Sequence, residues 1–282
     1  MNKVKLKQQL EEFLLEDIGD RDITSELVFS TNQLGEGTFV VKDEGILSGR
    51  QIIKETYQIL DPAIKVTFHK NDGDRIKTGD IIATVYGPVR ELLTGERIIL
   101  NLIQRMSGIA TLTNLAVETL GSNQTKICDT RKTTPGLRMF EKYAVTCGGG
   151  INHRFGLYDG VMIKDNHIAF CGSIKKAVHT VKHQLGHMVK VEVETESKEQ
   201  VLQAVDAGAD IIMLDNQTPE QVREHVALIP RSIITEASGN IKLTNLADYR
   251  NCGVDYISLG LLTHSAKSLD ISFDVNYEGE QK

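Results

Sequence analysis

Beyond Thr125 the chain repeats one pattern: a short apolar run, a polar cluster, then an amphipathic stretch. The runs are Lys126-Ile127-Cys128, Val161-Met162-Ile163, 189–193, Ile211-Ile212-Met213-Leu214, Ile233-Ile234 and Tyr256-Ile257-Ser258-Leu259. Their length and β-branched content predict buried strands. The stretches between them carry helical spacing, as in 135–147, where Leu137, Phe140, Ala144 and Cys147 share one side. Two helix starts are chemically marked: Ser197-Lys198-Glu199-Gln200 and Thr218-Pro219-Glu220-Gln221 both fit a capping box, the second with proline at the first helical position. Six strand–helix units in succession imply a parallel sheet, either curled or open.

The strand ends discriminate between the two. Each strand runs out into polar residues: Asp129-Thr130-Arg131-Lys132, Lys164-Asp165-Asn166-His167, Glu194, Asp215-Asn216, Glu236-Ala237-Ser238-Gly239, and Gly260-Leu261-Leu262-Thr263-His264. In a (β/α) barrel these ends meet on one rim, where active sites are built, whereas an open sheet strings them along a line. The fold class expected is therefore α/β, an incomplete (β/α) barrel, because six units fall short of the eight that close one.

The first third reads as α+β. Leu6, Leu10, Phe13 and Leu14 fall at helical spacing, 38–41 and 65–68 are strand-like, 50–60 is helical, and the Gly-Asp rhythm of 72–85 predicts a small β unit. That rhythm is weakly similar to biotinyl and lipoyl carrier modules but lacks their hairpin-tip lysine, so it reads as scaffold. From Glu91 to about Gly121 a long helical pattern places Ile98, Leu102, Met106 and Ile109 on one face, interrupted by Gly108. The domains expected are 1–110, an N-terminal α+β domain, and 111–267, the barrel.

Composition narrows the function. The 282 residues carry a net charge of −6, and only 5% are aromatic, which leaves neither a broad basic surface nor stacking platforms for nucleic acid. No apolar stretch is long enough to span a membrane, and the N-terminus lacks the apolar core of a secretion signal. The four cysteines form no C-x-x-C pair, so reduced thiols in a cytoplasmic protein are expected and a zinc site is not.

Against that acidic background Arg131, Lys132, Arg154 and Lys164, with His153 beside them and Arg97 or Arg105 as further candidates, concentrate cations in Gly- and Thr-rich turns. Guanidinium forks suit carboxylates and phosphates, and lysine supplies a compact point charge, so a small multiply anionic ligand is the expected occupant. The bland alternative is surface charge paired with Asp129, Glu141, Asp159 and Asp165. Glu194 and Asp215 close two strands at the same rim and suit Mg²⁺ held through water, a sugar hydroxyl, or charge balance. Ser238-Gly239-Asn240 and Leu259-Gly260-Leu261 end the last two strands, where barrels bind phosphate through backbone N–H groups. Gly148-Gly149-Gly150 lacks a P-loop's Gly-Lys-Ser/Thr and reads as a helix C-cap and connector. His167 and His264 stay open between structural and catalytic roles.

The segments D-T-R-K-T-T-P-G (129–136), G-G-G-I-N-H-R (148–154) and I-K-D-N-H (163–167) resemble, in this order and spacing, the quinolinate phosphoribosyltransferase family. The similarity continues in Glu96-Arg97, Ser107-Gly108-Ile109-Ala110-Thr111, Val191-Glu192-Val193-Glu194 and Leu214-Asp215-Asn216, with Arg21 standing where a small residue is usual. The resemblance implies an N-terminal sandwich domain rejoined by the tail 268–282. It also implies transfer of a phosphoribosyl group from phosphoribosyl pyrophosphate to quinolinate with loss of CO₂, aided by Mg²⁺.

Carried over, Thr130, Arg131, His153, Arg154 and Lys164 would surround quinolinate, with Arg97 from the neighbouring subunit of a homodimer. Lys132, Glu194, Asp215, Ser238, Gly239, Asn240, Gly260, Leu261 and His264 would surround the donor, and Glu194 and Asp215 would serve the metal. Assembly beyond the dimer stays open. The rivals are a ModD-like paralogue on the same scaffold and a non-catalytic anion-binding or carrier protein.

Overall fold

A computed structural model describes residues 1–276, and the chain divides into two compact units. The first comprises 1–112, 139–149 and the segment from residue 266 onward; the second comprises 113–138 and 150–265. Of the tail 268–282, residues 277–282 lie outside the described residues.

In the first unit, helix α1 (Lys3–Ile18) starts at Asn2, whose side-chain oxygen accepts the N–H groups of Val4 and Lys5, and it buries Leu6, Leu10 and Leu14. There follow α2 (Ile23–Val28), β1 (Leu34–Val41), β2 (Gly45–Ile46), α3 (Arg50–Leu60), β3 (Lys65–Phe68), β4 (Arg75–Ile76), β5 (Ile81–Pro88) and the long helix α4 (Val89–Leu120). Then come β6 (Lys126–Cys128), α5 (Arg138–Cys147), β7 (Val161–Ile163), α6 (Asp165–Cys171), α7 (Ile174–Gln184), β8 (Val191–Thr195), α8 (Lys198–Asp206) and β9 (Ile211–Asp215). The chain continues through α9 (Pro219–Val226), β10 (Ile234–Ser238), a 3₁₀ turn (Leu246–Tyr249), β11 (Tyr256–Ser258), α10 (Leu261–His264) and β12 (Ile271–Asn276).

The first unit is built on an antiparallel sheet in the order β12-β1-β5-β3, so the C-terminal strand is an integral edge of the N-terminal domain. Phe39, buried on β1, packs with tilted rings against Phe273 at a centroid distance of 4.8 Å and against Tyr57 of α3 at 6.4 Å. The Gly-Asp segment 72–85 does not form a unit of its own: β4 pairs with β2 in a separate ribbon while β5 enters the main sheet.

Two expectations are corrected here. Helix α4 is not interrupted at Gly108; a Cβ there would lie 2.0 Å from the carbonyl oxygen of Lys267, so the glycine is a crossing point for the returning C-terminal chain. Helix α5 begins at Arg138 rather than Pro135, because Gly136 at φ +83° turns the chain first. From Met139 onward it belongs to the first unit, where Phe140 packs on Phe13 at 5.9 Å and Glu141 accepts from Arg105 Nε at 2.9 Å.

The second unit is a six-stranded parallel sheet in the order β6-β11-β10-β9-β8-β7. Strands β7 to β11 neighbour one another in chain order, yet β6 pairs with the last of them rather than with its own successor. That arrangement curls the sheet and leaves a seam between β6 and β7. Ile151 fills it: its N–H donates to Ile127 and its carbonyl accepts from Asp129, a one-residue parallel bridge where a strand would pair in a closed barrel. The incomplete barrel expected from the six units is present, plugged by a loop. Thr218 and Gln221 form the expected capping box of α9, whereas at α8 Ser197 caps but Gln200 accepts from Glu196 instead.

Candidate active site

Because strands alternate their side chains, Glu192 and Glu194 on β8 share a face, as do Glu236 and Ser238 on β10. Glu194, Asp215 and Ser238 stand at the C-terminal rim. Lys164, the residue after β7, lies level with Glu194 in the ladder, and its ammonium donates to Glu194 Oε2 at 2.5 Å. The Asp215 carboxyl is held above the usual aspartate range, first by burial and then by Glu194, against the opposing pull of Lys164 and Lys132. Two lysines and two carboxylates therefore form one charged group.

Around it the backbone is shaped for close approach. Gly239 sits at φ +76°, and a Cβ there would fall 2.3 Å from Asn216 Oδ1 and 2.7 Å from Asp215 Oδ1. Asn216 and Asn240 both adopt positive φ, at 56° and 55°, and the Asn240 amide donates to Asn216 Oδ1 at 2.9 Å. Asparagine adopts this region more readily than other side chains, and here the two turns that end β9 and β10 are tied together through these side chains. On the next strand, a Cβ at Gly260 would lie 2.9 Å from Lys132 Cδ and 3.3 Å from His264 Nε2, while Thr263 Oγ1 donates to the Lys132 carbonyl at 2.6 Å. Thr130 Oγ1 in turn accepts the Lys132 N–H at 3.0 Å, and Leu261 opens α10 directly after Gly260.

A second cationic group lies beside the seam loop. Arg154 is held below the usual arginine range by burial and then by the neighbouring Arg131 guanidinium. Its Nη1 donates to the Gly160 carbonyl at 2.8 Å, and Arg131 Nε is buried with no protein partner. Two half-buried like charges side by side, one with a buried Nε that has no partner, suit an anion between them. Beneath them a cavity of about 400 Å³ is lined by His153, Arg154, Glu192 and Glu236. A larger cavity of about 750 Å³ behind β7, lined by Met162, Phe170, Cys171 and Ala177, is apolar and brings no cation together.

The structure thus gathers Thr130, Lys132, Lys164, Glu194, Asp215, Ser238, Gly239, Asn240, Gly260, Leu261 and His264 on adjoining strand ends, and Arg131, His153 and Arg154 beside the seam. Arg97 lies in the first unit, exposed on α4 between half-buried neighbours, and Arg105 is committed to Glu141. His167 resolves as structural: its Nδ1 accepts the Lys164 N–H at 3.0 Å and caps α6. Sequence reasoning gave no role to Glu192 and Glu236, although their two-residue spacing from Glu194 and Ser238 places them on the same face. It offered Asp129 only as a charge partner of the cations, whereas Asp129 accepts from the His153 N–H at 2.9 Å and Asn152 Nδ2 at 2.6 Å.

Residues 22–107 match the model of the quinolinate phosphoribosyl transferase N-terminal domain, and residues 109–274 match that of the C-terminal domain. A probable nicotinate-nucleotide pyrophosphorylase (carboxylating) of Bacillus subtilis (strain 168) is 56% identical over 280 residues, spanning 99% of this chain and 96% of its own. The crystal structure of NadC from Streptococcus pyogenes superposes with a TM-score of 0.95 at 41% identity, over 99% of both chains. The nicotinate-nucleotide pyrophosphorylase of Francisella tularensis does so at 0.92 and 38% identity, over 98% of both. With both domains matched in order along a chain whose rim carries the family's charged motifs, this protein belongs to the quinolinate phosphoribosyl transferase family.

Proposed function

We infer that the protein transfers the phosphoribosyl group of phosphoribosyl pyrophosphate to the ring nitrogen of quinolinate with decarboxylation. The products are nicotinate mononucleotide, CO₂ and pyrophosphate, a step of de novo NAD biosynthesis. The observation that carries this reading is the juxtaposition of Arg131 and Arg154, with an unpartnered buried Nε, in a protein of this family. Quinolinate brings two carboxylates, and bidentate recognition by guanidinium answers that geometry. Arg131, Arg154 and Lys164 bind the acid with Thr130 and His153 beside them, and Arg97 comes from the neighbouring subunit. Lys132, Glu194, Asp215, Ser238, Gly239, Asn240, Gly260, Leu261 and His264 face the donor.

Glu194 and Asp215 fit a hard divalent cation. Both offer oxygen, and the upward push on Asp215 from its neighbour records repulsion that such an ion relieves. They would hold Mg²⁺ through water. When bound, the ion supplies charge neutralisation of the donor's diphosphate. Lys132 stabilises the departing diphosphate, and the Glu194 and Asp215 carboxylates favour positive charge developing at the ribosyl carbon. Decarboxylation follows on the quaternised ring: the bond from C2 to its carboxylate breaks, the electron pair stays on C2 where the adjacent positive nitrogen stabilises it, and a proton from solvent takes the place of CO₂ there.

A homodimer with shared sites is part of this reading. The second unit exposes Leu157, Tyr158, Phe170 and Met188, the last two at 95% and 82%, apolar surface that a partner would cover. No helix among the described residues is long and apolar enough to cross a membrane, which is compatible with the cytoplasmic location we propose. One assay tests the function: quinolinate, phosphoribosyl pyrophosphate and Mg²⁺, with nicotinate as the control acceptor. Formation of nicotinate mononucleotide and pyrophosphate from quinolinate alone is expected. Release from nicotinate instead, or no turnover with tight sugar-phosphate binding, would overturn the assignment.

A further inference from the structure

The guanidinium pair of the second unit is carried by two separate loops, Arg131 on the one that follows β6 and Arg154 on the seam loop. Burial first and the Arg131 charge second hold Arg154 below the usual arginine range, so the two groups are close enough to repel. Loops that carry like charges swing apart unless other contacts tie them together, and two such ties are present.

The inner tie is Asp129, fully buried just beyond β6. Its carboxylate accepts the His153 N–H at 2.9 Å and Asn152 Nδ2 at 2.6 Å, and its own N–H donates to the Ile151 carbonyl at 3.2 Å. The outer tie is Arg138, the first residue of α5 and the last that the second unit holds before the chain leaves it. Its Nε donates to Thr133 Oγ1 at 2.9 Å and its Nη1 to the Phe155 carbonyl at 3.0 Å, so one planar fork spans both loops. Gly136 at φ +83° and the Leu137 N–H, which donates to the Thr134 carbonyl at 3.0 Å, fold 133–138 back on itself and bring Arg138 beside Thr133.

The order of these contacts along the chain matters. Arg131 stands two residues after Asp129 and two before Thr133, while Arg154 stands one after His153 and one before Phe155. Each is therefore midway between two fixed points, and the same two residues, Asp129 and Arg138, supply those points for both. Within the seam loop His153 Nδ1 accepts the Arg154 N–H at 2.7 Å, and Asp159 accepts the N–H groups of Phe155 and Gly156 at 2.6 and 2.8 Å. The span that carries Arg154 is thus stiff as well as anchored. Arg138 itself donates to two neutral oxygens of the protein, unlike Arg131, whose buried Nε has no partner.

We propose that Arg138, working with Asp129, is a positioning residue that fixes the separation of Arg131 and Arg154 and so makes the pocket select two adjacent carboxylates over one. This rests on the reading of Arg131 and Arg154 as ligands of quinolinate. That acid carries its carboxylates on neighbouring ring carbons, so both guanidinium groups must already stand at the right distance when it arrives. Nicotinate has one carboxylate, which either guanidinium can take alone. Arg138 touches no substrate and acts through the two loops.

The test compares the full-length protein with Arg138→Ala, Arg138→Lys, Thr133→Val and Thr133→Ser. Lysine keeps the charge and loses the fork, valine removes the acceptor without altering any charge, and serine keeps the hydroxyl. In both Arg138 variants the KM for quinolinate should rise roughly tenfold, the order expected when a hydrogen bond from a charged group is lost. The KM for phosphoribosyl pyrophosphate, kcat, and the Ki of nicotinate as a competitor should stay within about twofold. Thr133→Val should move quinolinate in the same direction by about threefold, and Thr133→Ser should restore it. A second readout needs no substrate: hydrogen exchange at the Phe155 and Gly156 amides should accelerate at least about fivefold in Arg138→Lys, with α8 unaffected.

A normal KM for quinolinate in Arg138→Lys would overturn the proposal, because charge alone would then suffice. So would a KM for phosphoribosyl pyrophosphate or a Ki for nicotinate that rises in step with quinolinate, or seam-loop exchange that does not change. Absence of quinolinate turnover in the unaltered protein, with exchange still accelerated in Arg138→Lys, would instead sink the reading of the substrate and leave the tie between the loops standing.

Discussion

Lys164 joins the two charged groups of the barrel. It faces Glu194 at 2.5 Å, moderates Asp215 and follows β7, the strand beside the seam. Replacing it with alanine leaves Glu194, whose side chain is 12% exposed, opposite Asp215 without the Lys164 ammonium, and removes a charge that the proposed reading assigns to quinolinate. Lys164→Ala and Arg131→Ala should each lower kcat/KM for quinolinate by about 2–5 kcal/mol, roughly 30-fold to several thousand-fold. Steady-state kinetics at fixed saturating donor measures this, and turnover within a factor of about three of the unaltered protein would remove either residue from the site. The residues at strand ends were legible because a barrel's topology dictates where such ends go. Glu192 and Glu236 were not, since an acid inside an alternating strand reads the same whether its face meets solvent or the interior of a barrel.

Elements show the same division between what local pattern determines and what distant chain determines. All six barrel strands were readable from apolar runs bounded by polar clusters, and α9 from its capping box and proline. The affiliation of α5 was not, because a helix following a strand in a βα series is normally spent covering the sheet. Here its apolar face serves the first unit through Phe140, and its Glu141 takes Arg105. Gly108 carries the same lesson. In sequence it interrupts a helix, while in the fold it is the place where α4 lets the Lys267 carbonyl pass. Gly108→Ala ought to raise helix propensity by about 1 kcal/mol in isolation. It should nevertheless destabilise the protein by about 2–3 kcal/mol, because the added methyl collides with backbone rather than with a flexible side chain. Urea unfolding settles the sign, and a variant as stable as the parent would mean that the C-terminal chain does not cross there.

At the scale of the molecule, an acidic chain keeps Arg131, Lys132, Arg154 and Lys164, the cations of the proposed site, in one barrel while a further candidate, Arg97, sits exposed in the other unit. In the homodimer we propose, Arg97 would enter the neighbouring chain's site and bring the additional positive charge that a dicarboxylate beside a diphosphate calls for. The consequence is a prediction about mixtures rather than about single proteins. Arg97→Ala and Lys164→Ala should each be nearly inactive alone, because every dimer of either variant has both sites damaged. Unfolded or dissociated together and reassembled at equal amounts, half the dimers are mixed. In each mixed dimer one site receives an intact Arg97 from one chain and an intact Lys164 from the other, while the second site receives neither. Activity should therefore return to about a quarter of that of the unaltered protein, with normal KM for both substrates in the sites that work. Recovery requires that the two residues act across a subunit boundary. If the mixture stays as inactive as its components while light scattering confirms dimers, Arg97 serves its own chain or none, and the shared site is lost.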